Sequence, residues 1–400
     1  MREFLRSGKL VTLMLGHLTV DSYVGVIPVL YPILIGRFHL TLATVGLVSL
    51  AYTGMAAISQ PLFGVIADRY GTRLTGVALV WTALTFALVG FVPSFPLLLA
   101  LAFASGLGSG AFHPFGALDV RALLPAWRRS FGMSIYVTAG TIGVALGPLI
   151  GIGVLTLGLR GTGLLVIPGL ATGAYLLWRM RGQDRPAAKT AKAAAAPGSS
   201  SAVPVLALAM VIGVMMSRSW TVGVFQAFTP TWYRQLGYGP EFYGPLVTTL
   251  VLASAVGTVG IGSLADRYGR RSLILATLVL SIPAILLYTI FPGPWAFGTA
   301  ILIGFLAAST APLMLLMAQQ LMASRAGLAS GLVMGLGFVT AALGIPINGA
   351  IADVIGLQKS LMTHVILVLV TIVIAWFLPT EKEIDRYSEV VPAVTPAIAN

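Results

Sequence analysis

The sequence predicts an all-α integral membrane protein, with twelve transmembrane helices in two pseudo-symmetric six-helix bundles. Three observations predict this fold class. Of the 400 residues, 57% are hydrophobic and only 9% are charged, whereas soluble domains carry about 25% charged residues. Long stretches contain no Asp, Glu, Lys or Arg, as between Leu74 and Leu118 and between Ser272 and Ser324. The chain also matches itself when it is shifted so that Gly64 falls on Gly262.

Apolar stretches of about 20 residues are long enough to cross a bilayer as helices. Each of the two long uncharged stretches is interrupted by a proline-rich turn, at Pro93–Pro96 and at Pro292–Pro294, so each contains two spans. Barrel strands are excluded because they alternate apolar and polar residues, and these runs do not. The predicted helices cover residues 9–36, 43–67, 74–92, 96–119, 129–155, 161–179, 203–235, 242–264, 272–290, 295–321, 327–352 and 360–379.

The basic residues predict the orientation of the spans. The chain has 24 Lys and Arg against 12 Asp and Glu, a net charge of +12. If both termini lie on one side, 19 of these 24 basic residues fall on that side. Because basic residues favour the cytoplasmic side, we expect both termini in the cytoplasm. The positive charge therefore indicates topology and not a nucleic-acid partner. The chain has no cysteine, which excludes disulfides.

The internal repeat predicts the domain organisation. The same shift of 198 residues (262 − 64) places related residues on each other: Gly46 on Gly244, Gly106 on Gly304, Pro114 on Pro312, Pro148 on Pro346 and Gly151 on Gly349. We expect an N-terminal bundle at residues 1–180, a cytoplasmic linker at 181–202, a C-terminal bundle at 203–380 and a cytoplasmic tail at 381–400. Parallel repeats of this kind occur in secondary transporters, whose binding site lies between the halves near the bilayer midplane.

A short motif closes the second span of each half. Its first copy is Gly64, Asp68, Arg69, Gly71 and Arg73, and its second copy is Gly262, Asp266, Arg267, Gly269 and Arg271. In this repeated motif the chain resembles the major facilitator superfamily. The resemblance implies a cytoplasmic gate, in which the Asp caps a helix of the other half and Asp119 is an acidic partner. A basic loop with a tight glycine turn is the alternative interpretation.

The fifth span contains closely spaced small residues: Gly143, Gly147, Pro148 and Gly151. They resemble the Gly-Pro motif of the superfamily's exporters. Ordinary packing of small residues between membrane helices explains the same pattern.

More specific stretches are Gly16-His17-x-x-x-Asp21-x-Tyr23, Gln60–Gly64, Gly106–Pro114 and Arg218-Ser219-Trp220. Together they resemble the fosmidomycin-resistance family of bacterial drug exporters. This resemblance implies a multi-pass protein of the bacterial inner membrane that expels a small phosphonate, driven by the proton gradient and without a cofactor. The family usually follows its His-Pro pair with an acidic residue, whereas Phe115 and Gly116 follow here. This departure weakens the transfer of the family's substrate.

Ionisable residues inside the predicted spans are functional candidates because charge in the bilayer core is costly. His17 and Asp21 are four residues apart and share a helix face. Together with His113 they are the predicted proton-coupling residues. Each has a structural alternative, as a fixed ion pair for Asp21 or a hydrogen-bonded residue for His113. His39 and His364 are expected near helix ends or the periphery, with little role.

Arg218 lies within a predicted span, away from its ends. The repeat aligns it with Val20, so we expect it at the depth of Asp21. It either neutralises Asp21 or binds an anionic headgroup through its fork of donors, and a switch between the two roles is our hypothesis. Further candidate substrate contacts are Tyr23, Gln60, Trp220, Gln226 and Asn348.

The sequence contains no nucleotide-binding loop, no cluster with metal-ligand spacing and no nucleophile–base pair. It therefore predicts a transporter and not an enzyme, functioning as a monomer, whose partners are a small molecule, protons and the lipid bilayer. The first prediction is a proton-coupled exporter, an antiporter of small drugs or anionic metabolites such as phosphonates, that works by alternating access. A proton-coupled importer of an organic anion is the alternative, and a non-transporting receptor is a further one.

Overall fold

The computed structural model describes residues 7–124, 129–181, 204–322 and 326–384. Within these ranges, the side chains at 68, 129–131, 262, 263, 266, 308, 326 and 327 lie outside the description. Almost all of the predicted linker and tail also lie outside it, as do the side chains of the two motif aspartates, Asp68 and Asp266.

The first half consists of six helical segments. They are α1 (Gly8–Phe38), α2 (Leu42–Ser49, a π-helical turn at Leu50–Gly54, then Met55–Tyr70), α3 (Thr75–Ala87, with a 3₁₀ turn at Leu88–Gly90), α4 (Phe95–Leu123), α5 (Arg129–Leu155) and α6 (a 3₁₀ turn at Leu159–Leu165, then Val166–Arg179).

The second half repeats this order. Its segments are α7 (Val205–Gln235), α8 (Pro240–Tyr268), α9 (Arg270–Ile290), α10 (Ala296–Ala308 and Ala311–Leu321), α11 (Ala326–Ile355) and α12 (Leu357–Met362 and His364–Trp376). The predicted boundaries agree with these to within a few residues at most helix ends.

Across the described residues, eleven helical segments are long and apolar enough to cross a membrane. The remaining one, α3, is a shorter apolar helix at Thr75–Gly90. The described ranges contain helices and no strand. The predicted all-α membrane fold is therefore confirmed, and the predicted count of twelve spans is roughly matched.

The two ends of the bundle are distinguished by the helix ends that lie there. We call the end where α1 begins and α6 and α12 end the terminal face. There, the guanidinium of Arg179 lies against Gly8, and Arg271 donates a hydrogen bond to the carbonyl of Trp376. The other end is the opposite face, where α1 ends at Phe38 and α2 begins at Leu42.

Tight turns repeat in the two halves. On the terminal face, Gly71 and Gly269 end α2 and α8 with φ angles of 78° and 79°. On the opposite face, Gly158 and Gly356 precede α6 and α12 with φ angles of 71° and 83°. Glycine favours these left-handed conformations because it has no Cβ. Both pairs are 198 residues apart, so the repeat in the sequence is also a repeat in the backbone.

The halves meet near the opposite face along what we call the seam, formed by α2 with α11 and α5 with α8. A Cβ on Gly46 would lie 2.8 Å from the Cα of Pro346. A Cβ on Gly244 would lie 1.8 Å from Ile152 and 3.8 Å from the carbonyl of Pro148. The repeat pairs Gly46 with Gly244 and Pro148 with Pro346, so these repeated positions are partners across the seam.

Polar contacts also close the seam. The carboxylate of Asp353 in α11 accepts hydrogen bonds from the backbone N–H groups of Leu42 and Ala43, at 2.7 and 2.9 Å. These donors are at the start of α2, where the first N–H groups have no partner within the helix. In the other helix pair of the seam, Thr248 of α8 donates to the carbonyl of Ala145 in α5 at 2.7 Å. The seam thus joins the two halves by backbone contacts on both sides.

Candidate functional site

Three of the predicted ionisable residues come together inside the first half. Asp21 of α1 lies between His17, one turn earlier, and His113 of α4. Its Oδ2 is 3.2 Å from the Nε2 of His17, and its Oδ1 is 3.2 Å from the Nε2 of His113. The side chains are 16%, 6% and 29% exposed for Asp21, His17 and His113. We call these three residues the acid–histidine cluster.

The second ring nitrogen of each histidine is already committed. The Nδ1 of His17 is 2.8 Å from the carbonyl oxygen of Tyr136, and the Nδ1 of His113 is 2.7 Å from the carbonyl oxygen of Ser109. A carbonyl oxygen can only accept, so each Nδ1 must carry the hydrogen. Each Nε2 then faces Asp21 either with a lone pair or with an additional proton.

This constraint determines how many protons the cluster holds. With Asp21 ionised and both imidazoles neutral, lone pairs face lone pairs at two contacts of 3.2 Å. One added proton makes one contact a hydrogen bond and makes the whole cluster neutral. A second proton makes the other contact a hydrogen bond as well, but it gives the cluster a net charge of +1. The cluster therefore holds one exchangeable proton while neutral and a second one only as a cation, in a region where a net charge is costly.

The face of α5 that packs on α1 positions the cluster. A Cβ on Gly140 would lie 2.4 Å from the Oδ2 of Asp21 and 2.6 Å from the Nε2 of His17. The ring of Tyr136, one turn earlier in α5, stacks on the ring of His17 with centroids 4.2 Å apart. Only a glycine at position 140 leaves room for the His17–Asp21 contact.

The same three residues also have the spacing of a small metal site. Their ligand atoms all lie within 4.8 Å of one another, although the sequence showed no cluster with metal-ligand spacing. Two of the ligands come from α1 and the third from α4, which is why the sequence does not reveal the group. Two imidazoles and one carboxylate are also the three protein ligands that some catalytic zinc sites use, with water in the fourth position.

Arg218 lies apart from the acid–histidine cluster. Its Nε donates to the carbonyl of Ala307 at 2.9 Å, and its Nη2 donates to the carbonyl of Leu306. Asp21, in contrast, pairs with the two histidines. In this conformation Arg218 therefore does not neutralise Asp21, and the first of its two predicted roles is not supported.

Other predicted substrate contacts have polar atoms that are already used inside the fold. The hydroxyl of Tyr23 donates to the carbonyl of Leu165 at 2.8 Å. The indole N–H of Trp220 donates to the carbonyl of Gly344 at 3.1 Å. These two contacts are typical of helix packing. Gln60 and Gln226 are half-buried.

Asn348 belongs to a buried network that includes His364. The Nε2 of His364 is 3.1 Å from the Oδ1 of Asn348, and its Nδ1 is 3.1 Å from the hydroxyl of Thr221. Asn348 in turn donates to the hydroxyl of Ser360 at 2.7 Å. His364 is 2% exposed, so the expectation of a peripheral position was wrong. It lies just before a continuous apolar run, where helical periodicity does not show which face is buried.

The motif at the fifth span is used in packing. A Cβ on Gly143 would lie 2.1 Å from the carbonyl of Leu18, and one on Gly147 would lie 2.5 Å from Gly25. One on Gly151 would lie 2.6 Å from the side chain of Val29. These glycines let α5 approach α1 closely and so hold Gly140 against the cluster.

At the terminal face, Asp119 of α4 accepts a hydrogen bond from the hydroxyl of Thr75 at 2.9 Å and another from Thr72. Asp119 thus contacts Thr72 inside the first copy of the gate motif and Thr75 at the start of α3. The role of that motif in a gate stays a prediction, because the side chains of Asp68 and Asp266 are outside the description.

Comparison with known proteins identifies the family. The family model of the Major Facilitator Superfamily matches residues 13–238 and 210–399. The chain belongs to the Major Facilitator Superfamily. This superfamily member is a multi-pass membrane transporter of a small molecule, and it is not an enzyme.

Individual relatives agree with this assignment. The transporter is 29% identical over 386 residues to an uncharacterized MFS-type transporter of Bacillus subtilis, YfnC, covering 93% of this chain and 92% of that protein. It is 26% identical to the fosmidomycin resistance protein of Escherichia coli, covering 86% of each. Its fold resembles a bacterial homologue of the human lysosomal transporter Spinster, in an inward-facing and occupied conformation, with a TM-score of 0.80, 15% identity and coverage of 93% and 96%.

Proposed function

We propose that this transporter is a proton-coupled exporter, an antiporter of small drugs or anionic metabolites such as phosphonates. It works by alternating access between its two halves, as a monomer and without a cofactor. We place it in the bacterial inner membrane with both termini in the cytoplasm, because 19 of its 24 basic residues would then face the cytoplasm.

One observation carries the proton coupling. In the acid–histidine cluster, both Nδ1 atoms donate to backbone carbonyls, and both Nε2 atoms lie 3.2 Å from the carboxylate of Asp21. Such a group accepts a proton at each contact without any rearrangement of the backbone. Histidine is also the side chain whose charge changes most readily near physiological pH. Proton binding here therefore changes the charge between α1, α4 and α5 of the first half.

The direction of transport is supported by one further observation. The chain is similar to the Escherichia coli fosmidomycin resistance protein over most of both sequences.

The experiment is an efflux assay in cells and in proteoliposomes. Expression should lower the intracellular level of a phosphonate or a dye, and an uncoupler should restore it. Asp21→Asn keeps the side-chain size but removes the charge, so it should abolish efflux driven by a pH gradient. Exchange of labelled for unlabelled substrate needs no net proton movement and should survive. Full gradient-driven efflux by Asp21→Asn contradicts proton coupling through this cluster.

Two controls accompany this test. His39→Asn changes an exposed histidine at the end of α1, where φ is 53°, and asparagine tolerates this left-handed conformation. It should transport like the wild type. EDTA should also leave transport unchanged, since loss of activity on chelation would make the cluster a metal site. Accumulation that rises with expression would support the importer instead.

A further inference from the structure

The helix α10 is interrupted in the middle of the second half. Its two segments end at Ala308 and begin again at Ala311, with Ser309 and Thr310 between them. Pro312 follows and has no N–H group to continue the helix. The repeat places Pro114 at the same position in α4, yet α4 runs without a break from Phe95 to Leu123. The proline therefore does not explain the break by itself.

The broken helix α10 differs from the continuous helix α4 in its contact with Arg218 of α7. It donates to the carbonyls of Leu306 and Ala307, which are the acceptors that residues 310 and 311 would use in a continuous helix. Its position in the repeat is taken by Val20 in the first half, and a valine cannot donate. The guanidinium thus sits at the break and takes over the acceptors that the break leaves free.

The guanidinium has donor capacity left over. Arg218 is 5% exposed, and its Nη1 has no hydrogen-bond partner in the described part of the chain. No described carboxylate pairs with it. A buried guanidinium has five N–H donors and remains charged. Two carbonyl oxygens compensate only part of that charge, so the site favours an anion.

A second unpartnered group lies at the same break. The hydroxyl of Thr310 is fully buried and has no partner among the described residues. Thr310 precedes the second segment of α10, but its side chain does not cap that helix. The neighbouring Ser309 donates at 3.0 Å to the carbonyl of Leu306, which also accepts from Arg218. Arg218 and Ser309 therefore share one acceptor, and Thr310 is the next residue of the same break.

We infer that the break in α10 is an anion-binding site, where the Nη1 of Arg218 and the hydroxyl of Thr310 donate to the oxygens of one small headgroup. A phosphonate or a carboxylate has the required pair of acceptor oxygens. The start of the 11-residue segment Ala311–Leu321 adds the positive end of a helix dipole. Broken helices of this kind hold anionic substrate groups in other transporter folds.

The position of this site relates it to the proposed function. That the bound anion is the exported substrate rests on that proposed function. Under the repeat, Arg218 falls beside Asp21, and Ala311 falls on His113. The anion site between α7 and α10 is therefore the counterpart of the acid–histidine cluster between α1 and α4. One half holds the protons and the other holds the anion.

The test measures binding to the purified full-length protein in nanodiscs. The probe is methylphosphonate, and its neutral dimethyl ester is the comparison ligand. Calorimetry should detect methylphosphonate and not the ester. Thr310→Val keeps the shape but removes the hydroxyl, and it should weaken methylphosphonate binding by about tenfold or more, the usual effect of losing a hydrogen bond to a charged group. Arg218→Lys keeps the charge but loses the fork of donors and should also weaken binding.

Two further variants separate this role from a structural one. Thr310→Ser restores the hydroxyl and should restore binding. Thr340→Val removes a hydroxyl on α11 that bonds only to the carbonyl of Leu336, one turn earlier, and should bind like the wild type. Thr310→Val should also unfold no more easily than the wild type, because it removes a buried hydroxyl without a partner.

The outcomes distinguish the inference from the proposed function. Unchanged methylphosphonate affinity in Thr310→Val, or no binding by the wild type, overturns the anion site even if proton-driven efflux of a drug is observed. Binding that depends on Thr310 and Arg218 supports the anion site even if efflux proves independent of the proton gradient. In that case the proposed antiport fails alone.

Discussion

Replacing Gly140 by alanine tests the geometry of the acid–histidine cluster without removing any of its ionisable groups. The new Cβ would lie 2.4 Å from the Oδ2 of Asp21 and 2.6 Å from the Nε2 of His17. Ordinary contacts begin at 3.4 Å, so these atoms must move by about 0.8–1 Å. The contact between His17 and Asp21 should break, while His113 keeps its contact with the other carboxylate oxygen.

The structure also gives the size of the effect on stability. Extra volume in a packed core costs about 1–3 kcal/mol, and alanine gains about 0.5–1 kcal/mol over glycine inside a helix. The net loss in free energy of unfolding should be about 1–2 kcal/mol. Because one of two proton-binding contacts is lost, gradient-driven efflux should fall while substrate exchange persists.

Gly153→Ala is the matched control, since it lies on the same helix and a Cβ there would meet nothing within 4 Å. It should unfold at or slightly above the wild-type temperature and transport normally. Thermal unfolding in detergent and efflux in proteoliposomes give the two readouts. If Gly140→Ala matches Gly153→Ala in both thermal unfolding and efflux, the packing of α5 on the cluster does not affect transport. That result would refute the role of Gly140.

The remaining predictions concern the seam and the second half. Asp353→Ala removes the acceptor of two N–H groups at the start of α2, while Thr41 still caps the helix. Losing a capping acceptor costs about 0.5–2 kcal/mol, so the population should shift towards an open seam by roughly 2- to 30-fold. Labelling of a cysteine introduced at Val251 would measure this, in a chain without native cysteines. Asp353→Asn keeps one of the two acceptor oxygens and should be labelled less than Asp353→Ala, and equal labelling of both variants would contradict this expectation. Gly46→Ala pushes against the backbone of α11 and should likewise raise labelling at Val251, with no rise counting against close packing at the seam. His364→Leu leaves Asn348 without its donor and should lower the free energy of unfolding by about 1–3 kcal/mol; an unchanged thermal transition would show that the network is dispensable.

Sequence reasoning predicted the fold because its signals are continuous along the chain. Uncharged runs define the spans, and the repeat defines two halves of equal orientation. The helix that came out shorter than predicted is α3, because its final residues Leu88–Gly90 tighten into a 3₁₀ turn before Pro93. Such a change in helix type has no hydropathy signal.

The candidate site was predicted only in part, because it depends on how the helices are rotated against each other. The spacing of His17 and Asp21 places both on one face, but their contact with His113 depends on packing between α1, α4 and α5. Gly140 sets that packing through the absence of a side chain, which no pattern of ionisable residues reveals. The repeat predicts Arg218 at the depth of Asp21, whereas its carbonyl partners depend on the break in α10.

The seam has a consequence for the symmetry of the chain. Gly46 of the first half meets Pro346 of the second. The repeat-related residues Gly244 and Pro148 approach each other in the other helix pair of the seam. Reciprocal contacts of this type are the hallmark of an isologous interface in a twofold-symmetric homodimer. The transporter therefore has the architecture of a twofold-symmetric dimer whose two six-helix subunits are joined in one chain. A single chain can carry different residues at equivalent positions of its two halves, here an acid–histidine cluster in one half and an arginine in the other.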